Sequence, residues 1–334
     1  MSNVELVLWS GLVIGLVFGG VGQATGFCLH RGLVQTFGHQ PGHKLQSFAL
    51  ALLVAIVGTQ WLAWQGVLDL SQSIYRMPVI SWLLVPLGGV LFGYGMTLTN
   101  GCSARSLVLL GQGNLRSAVV LLCLGVSAYA TLTGVLAPLR VALAGPTTWS
   151  PGIWGGVFSP VYQGVAVFLV LALLWLAFWK TGLLQQRKDL LGGFATGLLV
   201  VAGWFVTGAL GADDFDPVPL ESITFVAPVG ATIQYVMIAT GVNAGFGVLV
   251  VSGVLLGALV MALLSRRFEW QGFQSPSQMR RYMVGGAMMG VGGALAMGCS
   301  VGQGLTGMST LSPGSMMALL GIVGGSFLAQ KFHH

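Results

Sequence analysis

The sequence predicts an all-α integral membrane protein of about nine transmembrane helices plus four half-membrane helices, arranged as two inverted repeats. Three observations lead there: composition, the spacing of long apolar runs, and an internal duplication. Of 334 residues, 55% are hydrophobic and 7% charged, with a mean hydropathy of +0.86, where a soluble domain carries roughly a quarter charged residues. Fourteen Lys+Arg and eight Asp+Glu are too few to coat a water-facing body of this size, which excludes most soluble folds. The net charge of +6 does not point to nucleic acid. The basic residues sit singly or in pairs between apolar runs, with no aromatic RNA-binding signature.

A membrane span needs about 20 mostly apolar residues. That criterion selects runs at 4–22, 45–66, 82–100, 117–138, 158–180, 190–209, 241–264, 282–298 and 313–332. Shorter Gly-bounded apolar pieces at 28–37, 103–111, 222–238 and 301–308 read as half-helices that dip in and return. Irregular backbone at membrane depth survives only where protein buries it or a wet cavity lines it, so four such pieces imply a central pathway. The first apolar run follows no basic segment and precedes no small-residue cleavage site, so the mature chain is expected to begin at Met1.

Nine crossings with the amino terminus outside place Arg31, Lys44, Arg105, Arg116, Lys180, Arg187, Lys188, Arg266, Arg267, Arg280, Arg281 and Lys331 inside. That is 12 of the 14 basic residues, with only Arg76 and Arg140 outside. Basic residues concentrate on the cytoplasmic side of membrane proteins, so the carboxyl terminus is expected in the cytoplasm.

A shift of 197 lays residues 88–103, GGVLFGYGMTLTNGCS, on residues 285–300, GGAMMGVGGALAMGCS. The matched pairs are Gly88 with Gly285, Gly89 with Gly286, Gly93 with Gly290, Gly95 with Gly292, Leu98 with Leu295, Gly101 with Gly298, Cys102 with Cys299 and Ser103 with Ser300. A weaker match at a shift of 182 pairs Gly11, Gly15, Thr25 and Gly26 with Gly193, Gly197, Thr207 and Gly208, and there Cys28 meets Leu210. The chain is read as one transmembrane domain over 1–334, with repeat A at about 4–140, a connecting span at about 158–180 and repeat B at about 188–332. The extra crossing flips the second repeat, a recurring plan in transporters. The alternative is a duplication that only builds a scaffold.

Three segments carry cysteine in one shared setting: T-G-F-C-L-H-R at 25–31, N-G-C-S-A-R-S at 100–106 and M-G-C-S-V-G-Q-G at 297–304. Each places Cys after a glycine and at the start of a short helix, where free N–H groups and the positive end of the helix dipole favour anions. A thiol adds a weak donor and a weak acceptor. Cysteine is also a commonly buried small residue, and packing is the reading preferred for Cys123, inside an apolar span.

These segments, the glycine-rich approach to two of them, G-Q-G-L-T-G at 302–307 and the twofold repeat resemble the YeeE/YedE family of bacterial sulfur-compound permeases over nearly the whole chain. The resemblance implies thiosulfate uptake across the bacterial inner membrane through an hourglass-shaped body narrowed by cysteines, here Cys28, Cys102 and Cys299. It further implies, for some members, delivery of sulfur to a small cytoplasmic TusA-like carrier, and for some relatives an association with selenium.

Gly101 and Gly298 supply the turns before two of the thiols. Arg31 and Arg105 each follow a cysteine by three residues, hence on the same helix face; they read either as attractors of a dianion or as inner-leaflet anchors, and Gly302 stands where the second copy would carry the arginine. Gln303 is assigned to the pathway. Ser103, Ser300 and Asn100 read either as donors to sulfonate-type oxygens or, the preferred reading, as caps of the short helices. No catalytic residue, cofactor or metal is expected: the histidines show no metal spacing, no C-x-x-C occurs, and no G-x-x-x-x-G-K-[ST] loop is present. Asp213, Asp214 and Asp216 read as an outer solvated loop, an awkward neighbour for an anion importer.

Function is therefore expected to be a permease for thiosulfate, with selenium or another sulfur compound as the alternative substrate. A membrane sulfurtransferase working through a cysteine persulfide is the competing enzyme class, disfavoured because no base beyond His30 lies in the three segments. A structural subunit is the third class, disfavoured by the lack of a sizeable soluble domain.

Overall fold

Hydrocarbon offers no hydrogen-bond partners, so a chain this apolar folds into helices that satisfy their own backbone. A computed structural model describes residues 3–150, 159–179, 182–212 and 218–332. The long helices are α1 (Asn3–Thr25), α3 (Lys44–Trp64), α4 (Leu84–Leu98), α6 (Leu115–Leu132), α8 (Pro160–Phe178), α10 (Arg187–Phe205), α12 (Phe246–Leu264), α13 (Pro276–Leu295) and α14 (Pro313–Phe332). Between them lie α2 (Leu29–Phe37), α5 (Ser103–Gly111), α7 (Ala137–Ala144), α9 (Gly182–Gln185) and α11 (Val226–Ile238). Wide-turn helical segments continue α10 through Val206–Leu210 and occupy Gly302–Gly307.

All nine expected spans appear as long helices, and the four short pieces appear as α2, α5, α11 and the wide turn at Gly302–Gly307. Seven segments are long and apolar enough to cross a bilayer by length and composition alone. The shortfall has two causes. Helix α4 has 15 residues, about 22 Å at 1.5 Å per residue, and α13 begins with the polar turns Pro276–Tyr282, diluting its hydropathy. The run 117–138 also stops earlier than expected, at Leu132, and α7 follows with none of its residues buried. A two-stranded ribbon pairs Ile80 with Trp149 and Ser81 with Thr148, too short to leave an alternating pattern. Lys180, Asp213, Asp214, Asp216, His333 and His334 lie outside the described residues.

Four pairs of long helices pack through glycine: α1 with α12, α3 with α10, α4 with α14, and α6 with α13. Side chains at these glycines would strike the partner's backbone, so the helices touch main chain to main chain, as small residues permit in membranes. A Cβ on Gly89 would meet the carbonyl of Ala318 and one on Gly93 that of Ile322; a Cβ on Gly286 would meet the carbonyl of Val120 and one on Gly290 that of Leu124. Contacts advance in the same direction along both chains, so these pairs run parallel. Helices α4 and α13 also touch, with Gly88 against Gly292 and Gly95 against Gly285, which makes them antiparallel. The amino end of α10 lies beside the carboxyl end of α1, Gly192 against Thr25.

The connecting loops gather into two groups. On one face, Gln112 Nε2 donates to the Arg267 carbonyl (3.1 Å), Arg116 Nε to that of Gly272 (2.6 Å) and Asn114 Nδ2 to Gln271 Oε1 (3.1 Å). On the other, Ser81 bonds Thr147 (2.6 Å), Tyr162 Oη donates to the Thr310 carbonyl (3.1 Å), and the Arg76 guanidinium lies 5.0 Å from the centre of the Tyr162 ring. Apolar side chains of α8 face outward, including Phe168, Leu171 and Trp175, as expected of a helix against lipid.

Candidate functional site

Breaks in the helices bring the cysteine segments together. Cys28 is the residue before α2 and Cys102 the residue before α5, each in extended backbone conformation with its own helix's free N–H groups ahead. Both thiols are buried and they meet each other; Cys102 also faces Ser300. The cavity they line, with Phe18, Phe27, Phe48 and Val301 among its walls, measures about 10 Å³. That is room for about one water molecule. The Phe27 and Phe48 rings stack 5.9 Å apart beside it.

Cys299 is fully buried but departs from the expected pattern. It does not begin a helix: the wide turn starts only at Gly302, whose N–H donates to the Cys299 sulfur at 3.2 Å. Tyr75 lies close to this thiol, its own hydroxyl buried with no hydrogen-bond partner among the described residues. Cys123 is half-buried on α6, apart from the other three, with its Cβ side near Gly286.

The expected capping roles of Ser103, Ser300 and Asn100 are not made. The hydroxyls of Ser103 and Ser300 are buried and unpartnered among the described residues, and Asn100 donates instead to Tyr282 Oη at 3.4 Å. Gln303 Nε2 donates to the Ala296 carbonyl while its Oε1 is buried and unpaired. Buried polar atoms without partners cost about 1–3 kcal/mol each.

Two arginines flank the thiols. Arg105 is only 8% exposed, lines the cavity, donates from Nη1 to the Gly22 carbonyl (3.3 Å) and leaves Nε unpaired. Arg31 is exposed, near Gly26, and close enough to Arg105 for the charges to interact. Gly26 has φ +66°, a conformation that glycine adopts freely; its Cβ would come within 3.0 Å of the Arg31 guanidinium. Gly101 packs on the Arg105 stem and Gly298 on Gln303. Gly302, the counterpart of Arg105, sits against Thr224 and Tyr75 with no space for a side chain, which accounts for the arginine missing from the second copy.

Sequence reasoning missed a clamp beside this site. Lys44 Nζ donates to Asp189 Oδ1 (2.5 Å) and to the Thr25 carbonyl (2.6 Å), and Ser47 Oγ donates to the Asp189 carbonyl (2.6 Å). Helices α1, α3 and α10 are thereby tied at the break that carries Cys28. Residues so far apart in sequence offered no local signal beyond Asp189 being an acid amid basic neighbours. Toward the opposite face, a recess of about 170 Å³ is walled by Ile74, Met77, Leu132, Arg140, Thr224, Met297 and Gly298 among others.

A family profile described as sulphur transport matches residues 24–328. The chain belongs to that family, YeeE/YedE. It is 27% identical over 339 residues to the thiosulfate transporter TsuA of Escherichia coli K12, covering 96% of this chain and 94% of that protein. It is 25% identical over 346 residues to the thiosulfate transporter TsuA of Spirochaeta thermophila, covering 96% and 97%. The protein is accordingly a multi-pass membrane transporter of sulfur compounds and not an enzyme.

Proposed function

We propose that this transporter takes thiosulfate into the cytoplasm of a bacterium through its inner membrane, along a path that passes Cys299 and then the paired thiols of Cys28 and Cys102. The observation that carries the reading is the meeting of two thiols, each at the amino end of a different short helix, in a small cavity that Ser300, its hydroxyl unpartnered among the described residues, and the buried Arg105 also line. The two similar proteins named as thiosulfate transporters support the substrate.

The chemistry fits a sulfur dianion. Its oxygens need donors, which Ser103, Ser300 and the N–H groups ahead of Cys28 and Cys102 offer; its terminal sulfur is large and weakly hydrated, and thiols are soft partners for it. The thiols act in their neutral form, since a thiolate beside a dianion in a low-dielectric site would repel it by several kcal/mol. Many weak contacts allow entry without trapping. Arg105 and Arg31 then draw the anion from the thiols toward the cytoplasm, offsetting part of its lost hydration. A cavity that holds one water must open before the anion passes, so the aromatic walls at Phe27 and Phe48 move during transport.

The proposal includes two inverted repeats, at about 4–140 and 188–332, joined by the connecting span at about 158–180. Support comes from the packing: counterparts α1 and α10, and α4 and α13, run antiparallel, and each close parallel pair joins one helix of each half. The amino terminus lies outside and the carboxyl terminus in the cytoplasm, which puts the loop group of Arg116, Arg266 and Arg267 inside. Handover to a TusA-like carrier at the cytoplasmic face completes the proposal.

Uptake into vesicles loaded with the purified protein tests it, using labelled thiosulfate, selenite, sulfate and sulfite with and without a proton gradient. Thiosulfate is expected to enter fastest. Preference for a selenium anion would replace the substrate and leave the pathway standing.

A further inference from the structure

Thiols, hydroxyls and arginines give a dianion a route, but they do not drive it into a cell whose interior is electrically negative, where each of its charges moves against the potential. One buried group beside that route has no part in it so far. His30, in the first turn of α2 and two residues after Cys28, is 4% exposed, and its Nδ1 is buried with no hydrogen-bond partner among the described residues. His43, half-buried just ahead of α3, is satisfied by contrast: its Nδ1 meets Gln46 Oε1 at 2.7 Å. Buried polar atoms ordinarily find partners, so the free nitrogen of His30 is open to a proton. His30 lies within electrostatic reach of Cys28 and Arg31, and the facing segment of the thiol pair adds Cys102 and Arg105. The helices packed on α2 add Lys44 at the start of α3 and Lys331 on α14. Asp189 on α10 is already held by Lys44, so no free carboxylate among the described residues of these elements balances a charged ring.

We infer that His30 is the proton site of a coupled transport cycle, binding one proton when the anion reaches the paired thiols and releasing it to the cytoplasm once the anion has left. The inference rests on the permease reading above and adds what travels with the anion. With the site empty, burial and the guanidiniums of Arg31 and Arg105 oppose a charge on the ring; a dianion beside Cys28 and Cys102 reverses that balance. The proton comes from outer water admitted as the cavity opens, adds to the free ring nitrogen, and leaves from the same N–H to cytoplasmic water on the side of the exposed Arg31. Thiosulfate is chemically unchanged and no electron moves. The transported unit then carries one negative charge instead of two, which halves the electrical work, and a more acidic outside drives it inward. Glu221, ahead of α11, is the competing proton carrier, its carboxyl pushed up to about 7 by burial. It lies on the Tyr75 and Cys299 side of the path, however, away from the arginines that make a proton at His30 depend on the anion.

The test uses the purified full chain as wild type, His30→Gln and Glu221→Gln. Calorimetry of thiosulfate binding in buffers of different ionisation enthalpy counts the protons taken up, and labelled uptake into protein-loaded vesicles is followed while the outside is acidified and the inside is held constant. The wild type is expected to bind about one proton per thiosulfate near neutral pH, and its uptake to rise severalfold as the outside goes from about pH 8 to about pH 6. Gln keeps a hydrogen-bonding side chain that does not titrate, so both responses vanish in His30→Gln, while Glu221→Gln keeps them. If His30→Gln does not insert, His30→Asn asks the same question, and the proton count of the wild type needs no variant. Binding without proton uptake in the wild type overturns the inference, as does a pH response that survives in His30→Gln or disappears in Glu221→Gln instead. If the wild type transports thiosulfate without a proton, the permease reading stands and the proton site falls. If it binds thiosulfate with a His30-dependent proton yet transports none, the permease reading falls and the proton site stands; if it neither binds nor transports, both fall.

Discussion

Asn100 and Met297 hold the same left-handed backbone conformation, with φ of 56° and 59°, each two residues ahead of a buried cysteine, Cys102 or Cys299. Both are non-glycine residues in a region that L-amino acids seldom occupy, and both follow a long glycine-rich helix, α4 or α13. One backbone device therefore ends the long helix and presents Cys102 in the first half and Cys299 in the second. Asparagine tolerates this conformation better than methionine does, so the strain is greater at Met297.

Replacing Asn100 with Val is expected to destabilise the protein by about 1–3 kcal/mol, because a β-branched side chain resists positive φ. Asn100→Gly should stay within about 1 kcal/mol of wild type, relief of strain offsetting the extra freedom of the unfolded chain. Thermal melting of the detergent-purified variants reads the difference.

Gly93 and Gly290 make the duplication measurable. Each is pressed against a main-chain carbonyl, of Ile322 or of Leu124, so Gly93→Ala and Gly290→Ala should each cost about 1–3 kcal/mol and reduce membrane-inserted yield similarly. Gly145 and Gly324 have open space around them, and Ala at either should be tolerated.

The Lys44–Asp189 pair is mostly buried, its side chains 16% and 10% exposed. Removing one partner strands a charge, so Lys44→Met or Asp189→Asn alone is expected to cost about 2–4 kcal/mol, below or at the range for fully buried pairs. The double variant should recover part of that, and a double-mutant cycle on thermal stability measures the coupling.

Sidedness is checked with single cysteines placed at Gly145 and Gly272 in a background lacking the native cysteines. Both sites are open. A membrane-impermeant thiol reagent should label Gly145→Cys from outside in intact cells and Gly272→Cys only after the membrane is breached. The opposite pattern reverses the orientation and turns the proposed importer around.

Much of this was legible in the sequence because lipid enforces simple rules. Long apolar runs had to be helices, and the short Gly-bounded runs at 28–37 and 103–111 emerged as α2 and α5 almost residue for residue. Glycine spacing suggested the duplication, and the aligned glycines of α4 and α13 make close main-chain contacts of the same kind, with α14 and with α6. The failures concern side-chain partners. Ser103 and Ser300 looked like caps because their type and place suit capping, but their buried hydroxyls make no capping hydrogen bond, and Ser103 is already the first residue of α5. Cys299 was expected to start a helix as Cys102 does, yet Ser300 and Val301 intervene before the wide turn at Gly302. Lys44–Asp189 and the placement of Arg140 join segments distant in sequence, and no local pattern encodes them.

The cysteines themselves carry the central claim. Cys28→Ala, Cys102→Ala and Cys299→Ala should each lower uptake severalfold while insertion and melting stay near wild type, because a small side chain is lost at each. Cys123→Ala should be nearly silent, since Cys123 stands apart on α6. Serine at the three positions separates general hydrogen bonding, which it would rescue, from a need for sulfur, which it would not.

The most direct measurement follows both sulfur atoms of doubly labelled thiosulfate into vesicles holding the wild type or the variant with Cys28, Cys102 and Cys299 all changed to Ala. A permease working through these thiols delivers both sulfurs in equal amounts with the wild type and almost none with the triple variant. Full uptake by the triple variant, or delivery of one sulfur while the other stays bound to protein, contradicts the account.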